Sequence, residues 1–373
     1  MPQPTPRRSI SCPDCDPHRD RTSPSRRDVI KSAALTAAAF ATAGAALHTI
    51  TVTDRAFAAA PAAASSPETL VATLYKTLTA EQQKKICFPF DHKLRSEINN
   101  NWFITDSPIK DLLKPDQLDL VRQIFLGLHT EEYAQKVVQQ VEHDNESDGG
   151  FGRCAIALFG NPGDVSSAGS PDSPPQSKFE FVFTGRHVTR RCDGNSVAGA
   201  AFGGPIFYGH AAESFNEKPD HPGNIYWYQA KRANEVFNAL DGKQRKLALR
   251  QDPRPEQKAK TVALRGTTQG IAGLPVGDMS SDQKDLVRKV MADLLAPFRK
   301  TDADETMNLI EAAGFDNLHL SFFNNKGMDI GNDGVWDVWQ VEGPAMVWYF
   351  RGAPHVHTWV HVRDPKQTPM AKA

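Results

Sequence analysis

The sequence predicts an α+β fold in which helices followed by antiparallel strands occur twice. Three observations carry this. Helical and strand-like stretches come in blocks, in the order helices, strands, helices, strands. Asp116-Gln117-Leu118-Asp119-Leu120-Val121-Arg122 recurs 166 residues later as Asp282-Gln283-Lys284-Asp285-Leu286-Val287-Arg288. Glu81-Gln82-Gln83-Lys84-Lys85 is echoed more loosely by Lys243-Gln244-Arg245-Lys246. An internal duplication is therefore expected. Its halves, residues 59–222 and 223–373, would make one globular unit, sharing one sheet or packing two sheets together.

The first segment, residues 1–58, reads as an address rather than as part of the fold. A polar, arginine-rich start leads to Ser25-Arg26-Arg27-Asp28-Val29-Ile30-Lys31, then to an Ala-rich run from Ser32 to Leu47. Ala56-Phe57-Ala58 offers the small residues that a signal peptidase reads. The order is that of a twin-arginine export signal. It implies the twin-arginine machinery as a partner and a periplasmic or secreted location. Cys12 and Cys15 would leave with the signal. Removing eight of the 43 Lys/Arg and five of the 44 Asp/Glu leaves 35 and 39, a net charge of −4. No global basic field recruits nucleic acid. No apolar run is long enough to predict a stable membrane span.

Past the signal, the elements read in turn. Pro67 to Ile86 is helical, as is Pro115 to Val141 with a break near His129 and Thr130. Phe151 to Phe159 is an apolar, strand-like run, and Lys178 to Thr184 alternates, with Phe179, Phe181 and Phe183 on one face. Gly163 to Pro175, rich in Ser, Pro and Gly, is a surface loop by composition. Helices are expected again over Tyr228 to Arg250, after Ser280, and over Asp302 to Ala313. Four short strands close the chain: Leu318–Phe323, Val335–Val341, Ala345–Phe350 and His355–Arg363. Asn332-Asp333-Gly334 and Gly343-Pro344 supply turns between them.

The last strand carries the sharpest chemical signal. Alternation along His355-Val356-His357-Thr358-Trp359-Val360-His361-Val362-Arg363 puts Val356, Thr358, Val360 and Val362 on one face. The other face holds His355, His357, Trp359, His361 and Arg363, a polar row that is costly to bury without partners. His355 and His357 can converge on one ion. Imidazole nitrogen suits zinc, copper, iron and nickel. Further ligands must come from elsewhere. His187 lies 168 residues before His355, close to the repeat offset, and His210 sits in a Gly/Pro-rich setting. Glu342 is a candidate carboxylate ligand or proton acceptor. Arg186, Arg190 and Arg191 flank His187 and suit an anionic group. His92, His129, His143, His221 and His319 read as surface or packing residues. Three cysteines remain, Cys87, Cys154 and Cys192, with a buried free thiol favoured over a Cys154–Cys192 disulfide. There is no H-E-x-x-H, no phosphate-binding loop and no dinucleotide fingerprint.

Several short motifs follow one another in a fixed order: Leu78-Thr79-Ala80-Glu81-Gln82, Phe88-Pro89-Phe90-Asp91, Ala157-Leu158-Phe159-Gly160-Asn161-Pro162-Gly163, Gly185-Arg186-His187, Pro205-Ile206-Phe207-Tyr208-Gly209 and His355-Val356-His357. Together they resemble the uncharacterised bacterial and fungal family filed as domain of unknown function 3500. The resemblance spans nearly all of the mature chain and brings no settled activity. It implies two adjacent histidines after the glycine, where this chain has Arg186 and His187. It also implies a glutamate near the place of His210.

The sequence thus points to an exported metalloprotein. His355 and His357, with His187 and His210, would hold a transition-metal ion (copper, zinc or iron). Glu342 and Arg186 would serve catalysis, as an enzyme oxidising or hydrolysing a small, anionic substrate. The alternative is a non-catalytic extracytoplasmic protein that binds a small anionic or aromatic ligand, with Trp336, Trp339, Trp348 and Trp359 walling the pocket.

Overall fold

A computed structural model describes residues 65–146, 149–163, 178–210, 221, 223–252, 254–324 and 334–368. The expected export signal, most of the 163–175 loop and the Asn332-Asp333 turn lie outside these residues. Nine helices and eleven strands are present among the described residues, and the fold is α+β.

The first half opens with α1 (Pro67–Thr77) and α2 (Ala80–Ile86). The sequence pattern gives one helix here, but Leu78 and Thr79 are extended and split it in two. Thr79 caps the second helix, its hydroxyl accepting from the Gln82 amide while the Gln82 side chain accepts from the Thr79 amide. Strand β1 (Cys87–Phe88) follows, then α3 (Ile109–Leu112), α4 (Pro115–Gly127) and α5 (Glu131–Asp144). The half ends in β2 (Ala155–Gly160), β3 (Phe179–Gly185), β4 (Val188–Cys192) and β5 (Ile206–His210).

The second half runs similarly, with a short strand, β7, where the first has helix α3. It contains α6 (Trp227–Ala239), α7 (Gly242–Ala248), β6 (Leu249–Arg250), β7 (Leu274–Pro275), α8 (Ser281–Leu295) and α9 (Lys300–Ala313). Strands β8 (His319–Phe323), β9 (Val338–Gly343), β10 (Met346–Arg351) and β11 (Val356–Val362) complete it. β1 pairs in parallel with β2, and β6 in parallel with β8. β2 to β5 and β8 to β11 are two antiparallel meanders, joined where β5 pairs antiparallel with β11. All eleven strands therefore form one mixed sheet rather than two packed ones.

The recurring Asp-Gln segments have a physical role in each half. Gln117 reaches back to the Lys114 amide at the start of α4, and Gln283 does the same to Ser280 at the start of α8. Gln117 also exchanges hydrogen bonds with Gln82 (2.8 and 3.1 Å) and donates to the Thr77 carbonyl (2.9 Å). Gln283 exchanges them with Gln244 (2.9 and 2.8 Å) and donates to the Ala239 carbonyl (2.8 Å). One residue type thus caps a helix and clasps the helix pair before it.

The helices cover one face of the sheet. There Val71, Ile124, Phe125, Val287 and Leu294 pack on Ile156, Phe183, Trp348, Val356 and Val360 in one apolar core. Irregular stretches and short 3₁₀ turns cover the other face, with smaller clusters around Trp359 and Tyr349, and around Trp102 and Phe159. Trp339 and Trp348 fall on the helix face, while Trp359 falls on the other. The four tryptophans expected to wall a pocket are split by the sheet, and these three are packed as core. Trp336 lies against Phe237.

Cys87, Cys154 and Cys192 are free thiols. The strand registers explain why Cys154 and Cys192 do not bridge. Cys192 is level with Leu158, four residues along β2 from Cys154 and two strands across, a separation of roughly 16 Å.

His129 and Arg190 form a buried polar pair beneath the helices. His129 Nδ1 donates to the Phe125 carbonyl (2.8 Å), leaving Nε2 to accept from Arg190 Nε (3.0 Å). Burial, then the Arg190 charge, holds the imidazole pKa well below its ordinary 6.5. The folded state keeps His129 neutral while the unfolded chain protonates it. Its contribution is complete above pH 6.5 and is lost as pH falls. A His129→Gln variant keeps an acceptor for Arg190 but does not titrate. We expect the wild-type advantage in urea midpoint over this variant to shrink between pH 7 and pH 5. A constant difference would contradict the pairing.

Candidate metal centre

The β5–β11 seam gathers histidines at one end. His357, on β11, lies between Gly209 of β5 and Arg351 of β10. His355 precedes the strand by one residue, after a cis Ala353–Pro354 bond. His187 occupies the turn between β3 and β4 in the left-handed region, at φ +56°. That conformation is uncommon outside glycine and needs support. The support is visible: the His187 amide donates to the Asn100 carbonyl (3.1 Å), and its carbonyl accepts from the Gly209 amide (3.1 Å).

The three imidazoles converge. One ring nitrogen from each of His187, His355 and His357 lies within 4.8 Å of the others, and all three residues are buried. The ring centroids are 5.0, 5.0 and 4.6 Å apart. Two carboxylates fix the ring tautomers. His187 Nδ1 donates to Asp144 Oδ2 (2.6 Å), and His357 Nδ1 donates to Glu256 Oε2 (2.8 Å). Each contact leaves Nε2 as a lone pair, the arrangement by which carboxylates orient metal-binding histidines.

Asp144 ends α5, and Asn145 locks that helix end to the turn. The Asn145 side chain accepts from the Arg186 amide (3.2 Å) and donates to the Val141 carbonyl (2.8 Å). Asp144 Oδ1 meets His210 Nδ1 at 3.2 Å. Burial alone would raise the Asp144 pKa. Hydrogen bonds and charge from His187 and His210 outweigh it and hold the carboxyl below its ordinary range. Burial lowers His187 more than Asp144 raises it, with Arg186 and His210 adding to the lowering. Burial, then the His357, His187 and Arg351 charges, pushes His355 down. His357 is lowered by burial, then by Arg351 and His187. The trio is neutral at neutral pH, with lone pairs available.

Among the described residues this arrangement is incomplete. His355 Nε2 and His357 Nε2 lie 2.9 Å apart, yet the His357 proton is on Nδ1. If His355 carries its proton on Nε2, its buried Nδ1 accepts from nothing among the described residues; if on Nδ1, two lone pairs face each other. His187 Nε2 likewise has no hydrogen-bond partner among the described residues. Each such buried polar atom costs about 1–3 kcal/mol. Imidazole nitrogens sharing one ion at about 2.0–2.1 Å come within about 3 Å of each other, so the donor set fits a transition-metal ion.

The other candidates fall elsewhere. His210 reaches the trio through Asp144. Arg186 is beside it, its charge acting on His187 and His357. Arg190 is occupied by His129 and the Phe207 carbonyl. Arg191 bonds Glu180 and the Pro205 carbonyl. Glu342 is level with His361, two strands from β11, and bonds Arg265 (2.7 Å) and Gln340 (2.7 Å). The structure does not bring it to the histidines. His187 and His355 are also not like-placed in the halves. His187 lies between the second and third strands of its meander, whereas His355 leads into the last strand of the other, β11. His92 stacks on Phe88, His143 lies near Glu146, His221 Nδ1 accepts from the Gly223 amide, and His319 Nδ1 donates to the Asn317 carbonyl. His361 donates to the Val262 carbonyl (2.9 Å), and burial takes its pKa down to about 4.

Asp144 and Glu256 escape a reading of the sequence by motif. Asp144 had a usable signal: it continues the buried Val137, Val141 stripe of α5 by three residues, placing a carboxylate on a core-facing position. Glu256, in an irregular stretch, had none.

Fold and site together define an α+β protein whose single sheet carries a buried three-histidine cluster backed by two carboxylates. The chain belongs to the family described as protein of unknown function (DUF3500), whose model matches residues 61–368. No curated protein and no solved structure matches it.

Gly209 sets the distance between the strands opposite His357. A Cβ there would stand 2.1 Å from the Val356 carbonyl oxygen, so an added methyl must push β5 and β11 apart. We expect Gly209→Ala to cost about 1–3 kcal/mol in urea unfolding. An unchanged midpoint would show that the seam is looser than described.

Proposed function

We propose that this chain is an exported metalloprotein in which His187, His355 and His357 hold one transition-metal ion, copper, zinc or iron. The convergence of three buried, neutral imidazoles, two with Nδ1 occupied by carboxylates, carries the reading. Such an ion with an open position supplies Lewis acidity for hydrolysis or, for copper or iron, a redox couple for oxidation. The protein's own groups do the rest. Asp144 and Glu256 hold the ring tautomers, and the helix end and the β3–β4 turn hold Asp144. Arg186 supplies a cation to orient a small, anionic substrate. The repeated element order supports a duplication, after which one half gave a single histidine to the centre and the other half gave two.

Export by the twin-arginine route belongs to the same reading, since a folded, cofactor-loaded protein is what that route carries. We expect exported material to begin at Ala59. Replacing Arg26 and Arg27 by Lys together should leave the full-length chain in the cytoplasm. Undiminished export of that variant, seen by fractionation, would refute the assignment.

Elemental mass spectrometry of untagged protein tests the centre. Near-stoichiometric metal is expected in the wild type and none in the His355→Ala/His357→Ala double variant. Asp144→Asn keeps the shape but loses the carboxylate, and its metal affinity should fall roughly 10- to 100-fold. Metal retained by the double variant would overturn the assignment. The second reading, a non-catalytic binding protein for a small anionic ligand, is supported by a basic cleft away from the histidines.

A further inference from the structure

On the face of the sheet not covered by α-helices lies a cleft of about 490 Å³, lined by Arg250, Arg254, Lys260, Arg265, Gln340 and Glu342, with exposed Asp252. Four cations face two acids in a chain that otherwise carries no basic excess. Glu342 is answered by Arg265, which donates to it at 2.7 Å. Arg250 and Lys260 show no side-chain partner among the described residues.

Two buried groups point to a ligand. Arg254 lies over the Tyr349 ring at 4.3 Å and donates through Nη2 to the Thr261 carbonyl (2.6 Å). Its Nη1 is buried with no partner among the described residues. Gln340 is 3 % exposed. Its Nε2 donates to Glu342 (2.7 Å), which fixes the amide orientation, and its Oε1 is left without a donor among the described residues. The cleft therefore offers guanidinium donors for an anion beside one buried acceptor for a hydroxyl or amine.

We infer that this cleft is a binding site for a small carboxylate that also carries a hydroxyl or amino group. The carboxylate would sit on Arg254 and Arg265, and the donor group on Gln340 Oε1. The site is distinct from the histidine trio. Through the register Gln340–Tyr349–Trp359, its floor lies two strands and two residues from His357, roughly 12 Å away. The inference does not depend on the metal. The two places are nonetheless neighbours in the chain, since Pro255 alone separates Arg254 from Glu256, the partner of His357.

Tartrate and succinate share charge and length and differ in hydroxyls, so calorimetric titration of the full chain with each is the test. Tartrate should saturate with a Kd of about 1 mM or tighter, and succinate should bind more weakly. Arg265→Gln, at a side chain 42 % exposed, should weaken tartrate about tenfold without disturbing the fold. Arg254→Gln should do at least as much. Gln340→Leu should erase the preference for tartrate over succinate. The His355→Ala/His357→Ala double variant should bind tartrate as the wild type does. No saturation in the wild type, or unchanged affinity in Arg265→Gln, would overturn the site. Loss of binding in the histidine double variant would place the anion at the other centre and overturn it as well.

Discussion

The pairing of β5 with β11 is the contact on which the rest of this molecule depends. Each half contributes a four-stranded antiparallel meander, and only at Tyr208–Thr358 and its neighbours do the two become one sheet. A meander built from local hairpins can form by itself, but it buries only one helix layer. The seam gives the helices of both halves a continuous apolar floor. It also fixes which histidines meet, because His357 is in register with Gly209, and the Gly209 amide holds the turn that carries His187.

That register creates an electrostatic problem that the structure solves in part. Three imidazoles are taken out of water within a few ångströms of each other, and burial drives all of them toward the neutral form. Two carboxylates accept the protons on Nδ1, and Asp144 serves both His187 and His210. Its low pKa and the lowered His187 pKa agree: the charge rests on the carboxylate and the imidazole is a neutral donor. Among the described residues, His187 Nε2 and His355 Nδ1 are left unanswered. A cation held by the trio, as proposed above, would answer them. The same logic runs in the opposite sense at the cleft beside Arg254, whose buried Nη1 calls for an anion.

Much of the fold was legible in the sequence, since it rests on local rules. The alternation in His355–Arg363 placed Val356, Val360 and Val362 in the main core and Trp359 on the opposite face, as the structure has them. The Asp-Gln recurrence marked the starts of α4 and α8 through capping chemistry that needs only four residues. The break at Leu78-Thr79 was hidden because the capping pair Thr79/Gln82 sits inside an otherwise helical pattern. The tryptophans were misjudged because proximity in sequence says nothing about which face of a sheet each one takes after a turn.

The site divides along the same line. The sequence by itself determined that His355 and His357 share a face, since the i, i+2 spacing of a strand is set by the backbone. It also presented His187 as a third candidate, yet by a repeat offset that the structure does not use. Tertiary structure alone decided that His187 joins the pair directly while His210 joins through Asp144, and that Glu342 goes to Arg265 instead. It alone paired His187 with Asp144, on a helix end more than forty positions away, and supplied Glu256 from an irregular stretch. The physical reason is distance along the chain. Spacing within one element is written in a few residues, whereas strand register, a left-handed turn and a docked helix end are settled only when the two halves close on one another.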